Sequence, residues 1–457
     1  MIKRIYLSTL LALLFLTPAA AQDRPAQDSE ESPATRLAGV SEAIARDEPD
    51  SVPVSIEVFD QDSVEFDLPE SMSQNMDSIM NEWYVKNCLY SSDCESSNYN
   101  PSFPDSVYAD RLSRMQTEIE MPYNAIIRQY IDRYTGRNRN MVSYMLGAAN
   151  YYMPIFEEAL DYYGLPLELK YLPIIESALN PVAVSRAGAK GLWQFMFNTG
   201  KLYGLNQTSL IDERLDPMKS AYAAARYLRD LYATFGDWSL AISAYNCGPG
   251  GIKKAILRSS GKTDFWEIYP YLPKETRGYL PSFIAACYVM TYYGEHNICP
   301  MQPRLSLSTD TLVIAKNLHF EQISALCNIG TDEIKALNPQ YIRQVIPGNS
   351  QPCILKLPNS AVSAFIAAGD SIYRYHADTF FPKSAASSLT NEELVSLSKA
   401  KQSAKAKAKA RGTSHKVARG ESLGTIAKKY HTTVARLKQI NGIKGNTIQA
   451  GKFIKIN

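Results

Sequence analysis

Apolar residues recur three and four positions apart over long stretches of this chain, which is the spacing of one face of an α-helix. The pattern is clear through Arg111–Arg133 and Met141–Tyr163, where methionine, tyrosine and isoleucine alternate with polar groups. It begins near Ser71. These stretches predict a helical N-terminal region whose helices each bury one face.

A denser helical block follows, and capping residues mark its boundaries. Pro166 is expected to open a helix that ends near Ser177. Asp216 before Pro217 has the form of an N-cap followed by proline at the first helical position. Gly236 is a typical helix stop, so a helix is predicted between these two signals.

The rest of this block is predicted to be helical apart from one short hairpin. Asp237 is expected to cap a short helix, Trp238–Tyr245, that stops at Asn246–Gly250. Another helix is expected after Pro281. The segment Gly188–Met196 contains two glycines and alternating apolar residues, which favours a hairpin.

Towards the C-terminus the pattern changes to short strands that flank pairs of short helices. Segment Asp310–Pro358 has the order strand, helix, helix, strand, and His415–Ile456 repeats it. Two diverged copies of one βααβ module are therefore predicted. Between them, Ser398–Thr413 alternates lysine with alanine and has almost nothing to bury, so it is predicted to be a solvated linker. The predicted fold class is multidomain, a mainly α block plus small βααβ modules.

The first 21 residues have the features of a secretory signal peptide. Lys3 and Arg4 precede the apolar run Ile5–Leu16, and Pro18–Ala21 offers a cleavage site before Gln22. The run is too short to span a bilayer comfortably, and no later segment is long and apolar enough to do so. No cysteine stands at the cleavage point as a lipid-anchor site. We therefore expect an exported protein with no transmembrane segment in the mature chain.

The net charge of +2 conceals a strong asymmetry. Residues 22–70 carry fourteen Asp or Glu against three Arg, and residues 399–457 carry fifteen Lys or Arg against one acid. The acidic segment is poor in aromatic residues and is predicted to be disordered. The basic tail favours a polyanion. For an exported protein this indicates cell-envelope polymers or a membrane surface rather than nucleic acid. Cell-envelope proteins are a further candidate partner.

Seven cysteines leave at least one unpaired. Because export permits disulfides, Cys88–Cys94 and Cys327–Cys353 are the pairs expected first. None of the cysteine spacings resembles a zinc site, and the five histidines form no His-Glu-x-x-His pattern. No metal or other cofactor is predicted.

One carboxylate has an unusual sequence environment. Glu176 lies beside Leu172, Ile174 and Ile175 in an apolar helical stretch, and small and polar residues follow it. Loss of hydration disfavours the charged form of a carboxyl group, so the pKa of Glu176 should rise. A glutamic acid that is protonated near neutral pH can donate a proton to a leaving oxygen, as in glycosidases. Taken alone, the position also fits a surface glutamate with incidentally apolar neighbours.

Three further motifs accompany this carboxylate. Together with the motif around the carboxylate they make four motifs, which are Glu176–Ser177, Gly191–Met196, Ala244–Asn246 and Glu275–Tyr279. In this order and spacing they resemble the soluble lytic transglycosylase domain of family 23 glycoside hydrolases, whose fold is that of goose-type lysozyme. The resemblance covers about Tyr151–Cys299. It implies an enzyme that acts on peptidoglycan in the periplasm, in association with the cell wall.

The resemblance implies a role for each matching position. Glu176 would be the sole catalytic acid and base. The residues that would contact the substrate are Ser185, Gln194, Met196, Tyr245, Asn246 and Tyr279. Ser185 would contact the reacting sugar, and Gln194 and Met196 would line the cleft. The Tyr-Asn pair would hold the acetamido group or Glu176, and Tyr279 would close the far wall. Phe197 departs from the family, which usually has proline there.

The repeated βααβ module resembles LysM, a peptidoglycan-binding domain. In the C-terminal copy the resemblance points to loop residues that flank a sugar groove, namely Gly420, Glu421, Ser422, Leu423, Asn441 and Ile443. Glu421 replaces the more usual aspartate. The first copy has Lys316–His319 in place of the corresponding turn, which indicates a degenerate or structural module. Peptidoglycan glycan strands are therefore the expected partner.

These features divide the chain into seven segments. In order, we predict a signal peptide (1–21), an acidic disordered segment (22–70), a helical N-terminal region (71–145), a lysozyme-like transglycosylase domain (146–302), a degenerate LysM-like module (303–360), a linker with a Lys/Ala tract (361–412) and a LysM domain (413–457).

Three functions remain open at this point. No second acid lies between Glu176 and Asp212, but a substrate with a 2-acetamido group can supply its own nucleophile. The family implies cleavage of the MurNAc–GlcNAc β-1,4 bond with formation of 1,6-anhydro-MurNAc, from chain ends or internally. The residues alone equally allow attack by water, as in a hydrolytic goose-type lysozyme. A non-catalytic peptidoglycan-binding scaffold is the third function, which the intact Glu176, Gln194 and Tyr245 disfavour.

Overall fold

The structure is a computed structural model that describes residues 88–90, 99–303, 305–382, 414–430, 432–443, 445 and 447–456. The described chain forms two compact units, which divide between Tyr375 and His376. The predicted signal peptide, the acidic segment and the Lys/Ala tract lie outside the described residues. The predicted Cys88–Cys94 pair lies outside the described side chains.

The first unit is mainly α-helical up to residue 300. Its α-helices are α1 (Asp105–Ser113), α2 (Ala125–Thr135), α3 (Arg139–Tyr162), α4 (Leu172–Ser177), α5 (Phe197–Leu202), α6 (Pro217–Phe235), α7 (Trp238–Arg258), α8 (Phe265–Ile268) and α9 (Lys274–Tyr292). Short 3-10 turns, Leu167–Tyr171 and Glu213–Leu215, lead into α4 and α6. Strand β1 (Cys88–Tyr90) pairs antiparallel with β2 (Met301–Pro303).

One apolar core joins the N-terminal helices to the later ones. Tyr108 of α1, Ile131 of α2 and Phe283 of α9 are all buried in it. Polar contacts add to this packing, since the Arg111 guanidinium of α1 donates to the Tyr288 hydroxyl of α9 at 2.9 Å. The described residues before position 146 therefore pack against the helical block within the same unit.

Several predicted helix boundaries are confirmed. Asp216 caps α6, because its carboxylate accepts hydrogen bonds from the backbone N–H groups of Met218 and Lys219 at 3.0 Å. Gly236 ends the helix at a φ of 67°, a backbone conformation that favours glycine. Helix α4 ends at Ser177, as the sequence predicts.

Two helix boundaries differ from the prediction. Helix α9 begins at Lys274 rather than after Pro281, which lies inside the helix. The flanking residues of that proline are buried, and such packing outweighs the hydrogen bond that a proline removes. Helix α7 is broken at Gly248 (φ 72°, ψ 159°), where the sequence predicts a stop, but helical structure continues beyond it to Arg258.

The βααβ order predicted for Asp310–Pro358 is confirmed. Its elements are β3 (Thr309–Ile314), β4 (Asn317–His319), α10 (Phe320–Cys327), α11 (Thr331–Leu337), β5 (Val345–Pro347) and β6 (Cys353–Pro358). Strand β3 pairs antiparallel with β6, and the unpredicted strands β4 and β5 pair with each other. Helices α12 (Asn359–Ala368) and α13 (Ser371–Arg374) add Phe365 and Ile372 to the module core. The predicted boundary at residue 360 therefore falls within the helical end of this module.

The predicted Cys327–Cys353 disulfide is wrong. Both residues are free thiols in the apolar core of the first βααβ module. Cys353 Sγ donates instead to the Gln351 carbonyl oxygen at 3.3 Å. A free cysteine packs as a small apolar side chain, so a shared core does not require a covalent bond. Cys299 is disulfide-bonded, and its partner is not among the described side chains.

The second unit contains helix α14 (Ala377–Phe380) and the second βααβ module. The elements of that module are β7 (Ser414–Lys416), α15 (Leu423–Lys429), α16 (Val434–Asn441) and β8 (Phe453–Lys455), with β7 antiparallel to β8. It has a small core of its own that includes Leu423, Ile426 and Leu437. The predicted fold class of a mainly α block plus βααβ modules is confirmed. No described helix combines the length and apolar character needed to cross a membrane.

Candidate active site

Glu176 lies in the last turn of α4, where the helix ends in a buried turn. Ala178 and Leu179 follow it with φ values of 51° and 59°, the left-handed region that residues other than glycine rarely occupy. The Ser177 hydroxyl lies 3.0 Å from the Leu192 carbonyl oxygen and ties the helix end to a neighbouring loop. This strained and buried turn fixes the position of the Glu176 carboxyl group.

The Glu176 carboxyl group is desolvated, although the residue remains partly exposed at the surface. Burial raises its pKa from 4.5 to about 8. The Tyr279 hydroxyl of α9 donates a hydrogen bond to Glu176 Oε1 and opposes this rise, whereas the negative charge of Glu275 adds to it. The pKa shifts in the direction that the sequence predicts. Glu176 is therefore protonated at neutral pH, as a general acid must be.

Two tyrosines stand beside this carboxyl group. The Tyr245 hydroxyl of α7 donates to the Trp193 carbonyl oxygen at 2.8 Å, and its ring centroid lies 5.1 Å from that of Tyr227. Burial, and after it the charge of Glu176, raises the pKa of both Tyr245 and Tyr279. Both hydroxyls therefore remain protonated as donors. The direct bond from Tyr279 to Glu176 was not predicted, because the sequence indicates only that a tyrosine closes the cleft.

Asn246 follows Tyr245 on α7 and is oriented by helix α9. Thr276 Oγ1 donates a hydrogen bond to Asn246 Oδ1 at 2.8 Å. Because this bond occupies the amide oxygen, the side chain can offer its N–H₂ group to an acceptor in the cleft. That geometry suits an acetamido carbonyl group, one of the two contacts, with the acetamido group or with Glu176, that the family resemblance implies for this residue.

The predicted hairpin is a compact loop of residues 183–196, which we call the cleft loop. Isolated antiparallel bridges join Val184 to Lys190 and Lys190 to Phe195 in place of regular strands. The loop crosses closely over another segment at Gly191, which has a φ of 82°. A Cβ atom on Gly191 would lie 2.0 Å from the Arg214 carbonyl oxygen, so glycine is required there.

The predicted substrate contacts in the cleft loop also shape the loop itself. Gln194 Nε2 donates to the Gly191 carbonyl oxygen at 2.7 Å, and Ser185 Oγ accepts from the Ala189 N–H at 3.0 Å. Met196 is partly exposed and precedes α5. Contact of these side chains with a substrate stays a prediction. Phe197, at the departure from the family, begins α5 and exposes 51% of its surface.

Two buried charged residues that sequence reasoning missed hold the cleft loop. The Arg214 guanidinium donates to the carbonyl oxygens of Gly188 and Phe195, each at 3.2 Å. It also forms a fork-shaped pair with the Asp212 carboxylate at 2.8 and 2.9 Å. A run of charged residues such as Asp212–Arg214 usually predicts a solvated face, so no signal in the sequence marks this contact.

The residues predicted in the C-terminal LysM module form its loops largely through internal contacts. Glu421 Oε2 accepts from the Ala418 N–H at 2.9 Å and lies 2.8 Å from His415 Nε2. The Asn441 side chain donates to the Lys455 carbonyl oxygen at 2.8 Å and accepts from the Lys455 N–H at 2.7 Å. The remaining predicted residues are Gly420 at a φ of 86°, the α15 N-cap Ser422, the core residue Leu423 and the core-packing Ile443.

The asparagine contact recurs in the first βααβ module. Asn338 donates to the Lys356 carbonyl oxygen and accepts from the Lys356 N–H, both at 2.8 Å. In each module this amide joins the end of the second helix to the last strand. Asn441 is therefore a structural residue of the module, and a sugar contact by its side chain stays a prediction. These LysM residues belong to the second unit, whereas Glu176 belongs to the first. Among the described residues no cluster of His, Cys, Asp or Glu side chains could hold a metal ion.

Comparison with known families assigns three parts of the chain. Residues 153–268 match the transglycosylase SLT domain. Residues 308–374 match the LysM-like domain of lytic transglycosylase MltD, and residues 415–457 match the LysM domain. The resemblance inferred from the four motifs is confirmed. The matched segments therefore correspond, in order, to a lysozyme-like transglycosylase domain and two LysM-type modules.

Lytic murein transglycosylases are among the proteins to which this chain is similar. The chain is similar to membrane-bound lytic murein transglycosylase D of Escherichia coli (strain K12), with 27% identity over 345 residues, 75% of this chain and 71% of the relative. Soluble lytic murein transglycosylase of the same strain is 36% identical over 118 residues, 24% of this chain and 18% of that protein. The crystal structure of the 70 kDa soluble lytic transglycosylase from Escherichia coli aligns at 28% identity over 32% of this chain and 25% of that chain, with a TM-score of 0.28.

Proposed function

We propose that this protein cleaves the β-1,4 bond between MurNAc and GlcNAc in peptidoglycan and leaves a 1,6-anhydro-MurNAc end. The observation that carries the proposal is the Glu176 carboxyl group, which is protonated at neutral pH, accepts a hydrogen bond from Tyr279 and lies in the segment that matches the SLT domain. The two LysM-type modules support a glycan polymer as substrate. An exported location in the periplasm follows from this substrate and from the predicted signal peptide.

The first step breaks the glycosidic bond. Protonated Glu176 donates its proton to the glycosidic oxygen of the leaving GlcNAc as the bond to C1 of MurNAc breaks. The carbonyl oxygen of the 2-acetamido group on the same MurNAc bonds to C1 and takes up the positive charge that develops there. Asn246, held through its oxygen by Thr276, would donate to that acetamido group. The substrate therefore supplies the group that a second carboxylate provides in many glycosidases.

The second step closes the anhydro ring. Glu176, now a carboxylate, takes the proton of the C6 hydroxyl group of the same MurNAc. The O6–C1 bond forms as the acetamido oxygen leaves C1, so Glu176 ends protonated and no water is consumed. Tyr279 donates to Glu176 Oε1 and stabilises the carboxylate between the two steps.

Glu275 supports a second candidate function, that of a hydrolytic lysozyme. Its charge acts on Glu176, and it is exposed on α9 one turn before Tyr279. An ionised carboxylate near the catalytic acid can act as a general base and activate a water molecule. The two candidates differ in whether O6 or water attacks C1.

Mass spectrometry of the muropeptides released from purified sacculi tests both candidates. Products lighter by one water than reducing-end sugars would support the anhydro route. Reducing ends would support hydrolysis instead. The absence of any released product from the full chain would contradict both.

Cleavage should depend on the protonated form of Glu176. Because its pKa is about 8, kcat/KM should fall as the pH rises through that value. Tyr279→Phe removes the hydrogen bond that lowers this pKa, so the fall should move to higher pH. The rate at neutral pH should drop about 10- to 100-fold, because the carboxylate formed in the first step loses its donor. The measurement is the pH profile of kcat/KM on soluble glycan fragments, and equal midpoints in the two proteins would contradict this contact.

Removal of residues 399–457 should separate wall binding from catalysis. The LysM module in this segment has its own core and lies in the second unit, so the first unit should keep its fold. We expect cleavage of soluble glycan fragments to stay within about twofold of the full chain, whereas retention on insoluble sacculi in a pelleting assay should fall about tenfold or more. Unchanged retention would show that this module is not the anchor.

A further inference from the structure

The cleft loop depends on one buried guanidinium group. Arg214 is 4% exposed, and its Nη1 donates to the carbonyl oxygens of Gly188, in the middle of the cleft loop, and Phe195, near its C-terminal end. The same loop supplies the Trp193 carbonyl oxygen that accepts from Tyr245. Arg214 thus fixes the distance between two points of the loop whose residues Gln194 and Met196 are predicted to line the cleft.

Arg214 is itself held by a buried carboxylate. Asp212 accepts from Arg214 through both of its oxygens, at 2.8 and 2.9 Å, and Lys190 Nζ lies 3.2 Å from Oδ2. Burial alone would raise the pKa of Asp212, but these two cations bring it below its usual value. Such a fork-shaped pair restricts the orientation of the guanidinium, which a single point charge does not.

The segment that carries this pair is bound to the LysM-like module by main-chain contacts. The Asp212 N–H donates to the Gln340 carbonyl oxygen at 2.9 Å, and the Ile342 N–H donates to the Leu210 carbonyl oxygen at 3.1 Å. Between these bonds Ile211 pairs with Tyr341 in an antiparallel bridge.

The same segment also shares an apolar core with the module. Ile211 is 4% exposed and lies in the core of the LysM-like module, together with side chains such as Leu318 and Phe320. Two adjacent hydrogen bonds and a shared core make a fixed attachment. This arrangement differs from a module joined by a linker alone.

We propose that the LysM-like module is a fixed support of the catalytic cleft and that Arg214 is the positioning residue through which this support reaches the cleft loop. The contacts run from Gln340 and Ile342 of the module to residues 210–212, from there through Asp212 to Arg214, and on to the cleft loop. Arg214 acts on the reaction through the loop rather than by touching the substrate. The inference rests on the proposed function and assigns the first module a role other than sugar anchoring.

Substitution of Arg214 tests the last link. Arg214→Gln should lower kcat on soluble glycan fragments about 100-fold with a smaller change in KM, since a displacement of about 1 Å in a catalytic site costs roughly that factor. Arg214→Lys should recover only part of the loss, because an ammonium group cannot reproduce the planar fork. The pH at which kcat/KM falls should also shift in both variants, because the loop borders Glu176. A purely structural role would lower the melting temperature but leave kcat and the pH profile of the folded fraction unchanged, and that result would overturn the proposal.

A proline at position 342 tests the link to the module. Ile342→Pro removes the N–H that bonds to Leu210, whereas Ile342→Ala keeps it and truncates a side chain that is 44% exposed. We expect kcat to fall about 3- to 10-fold in the proline variant and to stay within about twofold of wild type in the alanine variant. Equal kcat values in the two variants would overturn the proposal.

Product analysis of the wild-type chain keeps the two proposals distinguishable. If wild type releases no anhydro-muropeptides, the proposed function fails whatever the variants do. If wild type releases them and all four variants match it in kcat and pH profile, only the support role of the module fails.

Discussion

Glu176→Gln should lower the cleavage of peptidoglycan by about four orders of magnitude while the protein still binds sacculi. Glutamine has nearly the shape of the protonated side chain but can neither donate an acidic proton nor accept one. The proposed reaction uses both properties in turn, and one general acid or base contributes about 10²- to 10⁴-fold on its own. Binding should persist, because the LysM module lies in the second unit. The measurement is the rate of release of muropeptides from purified sacculi, with pelleting to measure binding.

Glu275→Gln is the matched control for this substitution. It removes another carboxylate whose charge acts on Glu176, but from an exposed position. We expect this variant to retain cleavage. The pH at which its kcat/KM falls should be slightly lower than in wild type, because a charge that raises the pKa of Glu176 is gone. Residual activity of Glu176→Gln near wild type would remove Glu176 from its role. Loss of cleavage in Glu275→Gln alone would favour the hydrolytic candidate.

The same burial gives Glu176→Gln a second readout in stability. The pKa of this carboxyl group is about 8 in the folded protein against an ordinary value of 4.5, so ionisation is less favourable in the folded state than in the unfolded state. The free energy of unfolding is therefore highest at low pH, where the group is protonated in both states. That stability is lost as the pH rises through the pKa of the folded state. Glu176→Gln should unfold at the same temperature as wild type near pH 4 and at a higher temperature near pH 9. A lower melting temperature at high pH would contradict the burial of this group.

Local signals predicted much of the fold. Asp216, Pro217 and Gly236 mark the ends of α6, because capping depends on residues within a few positions of one another. Glu176 was predicted with a raised pKa because its apolar neighbours are adjacent in the sequence. The βααβ repeat was predicted for a similar reason, since each short element carries its own apolar pattern.

Contacts between distant segments were not predictable from these signals. The bond between Tyr279 and Glu176 joins residues 103 positions apart, and the contact of Arg214 with Gly188 joins residues 26 apart. A charged residue type predicts solvent exposure, so the burial of Arg214 could not be predicted from its residue type. Likewise, Pro281 indicates a helix start in the sequence but lies inside α9, where packing decides. The sequence therefore predicts the elements and the acid, and the folded chain adds the groups that position them.

Gly191→Ala should lower the free energy of unfolding by about 2 to 6 kcal/mol and abolish cleavage. Two costs add here. The φ of 82° is unfavourable for a residue with a Cβ, at about 1 to 3 kcal/mol. The Cβ would also lie 2.0 Å from the Arg214 carbonyl oxygen, and a forced displacement in packed structure costs about 1 to 3 kcal/mol. Because the obstacle is backbone, no rotamer change relieves it. Urea unfolding and muropeptide release measure the two effects.

Gly188→Ala separates the clash from the backbone strain. Gly188 lies in the same cleft loop with a φ of 88°, but a Cβ there meets no atom within 4 Å. Alanine at this position should therefore cost only the strain, about 1 to 3 kcal/mol, and the difference between the two variants measures the close crossing over Arg214. That crossing is where the buried guanidinium, the cleft loop and the segment bound to the LysM-like module meet. If both alanine variants unfold at the same urea concentration, the loop does not pack on the Arg214 backbone, and the shape of the cleft must be fixed elsewhere.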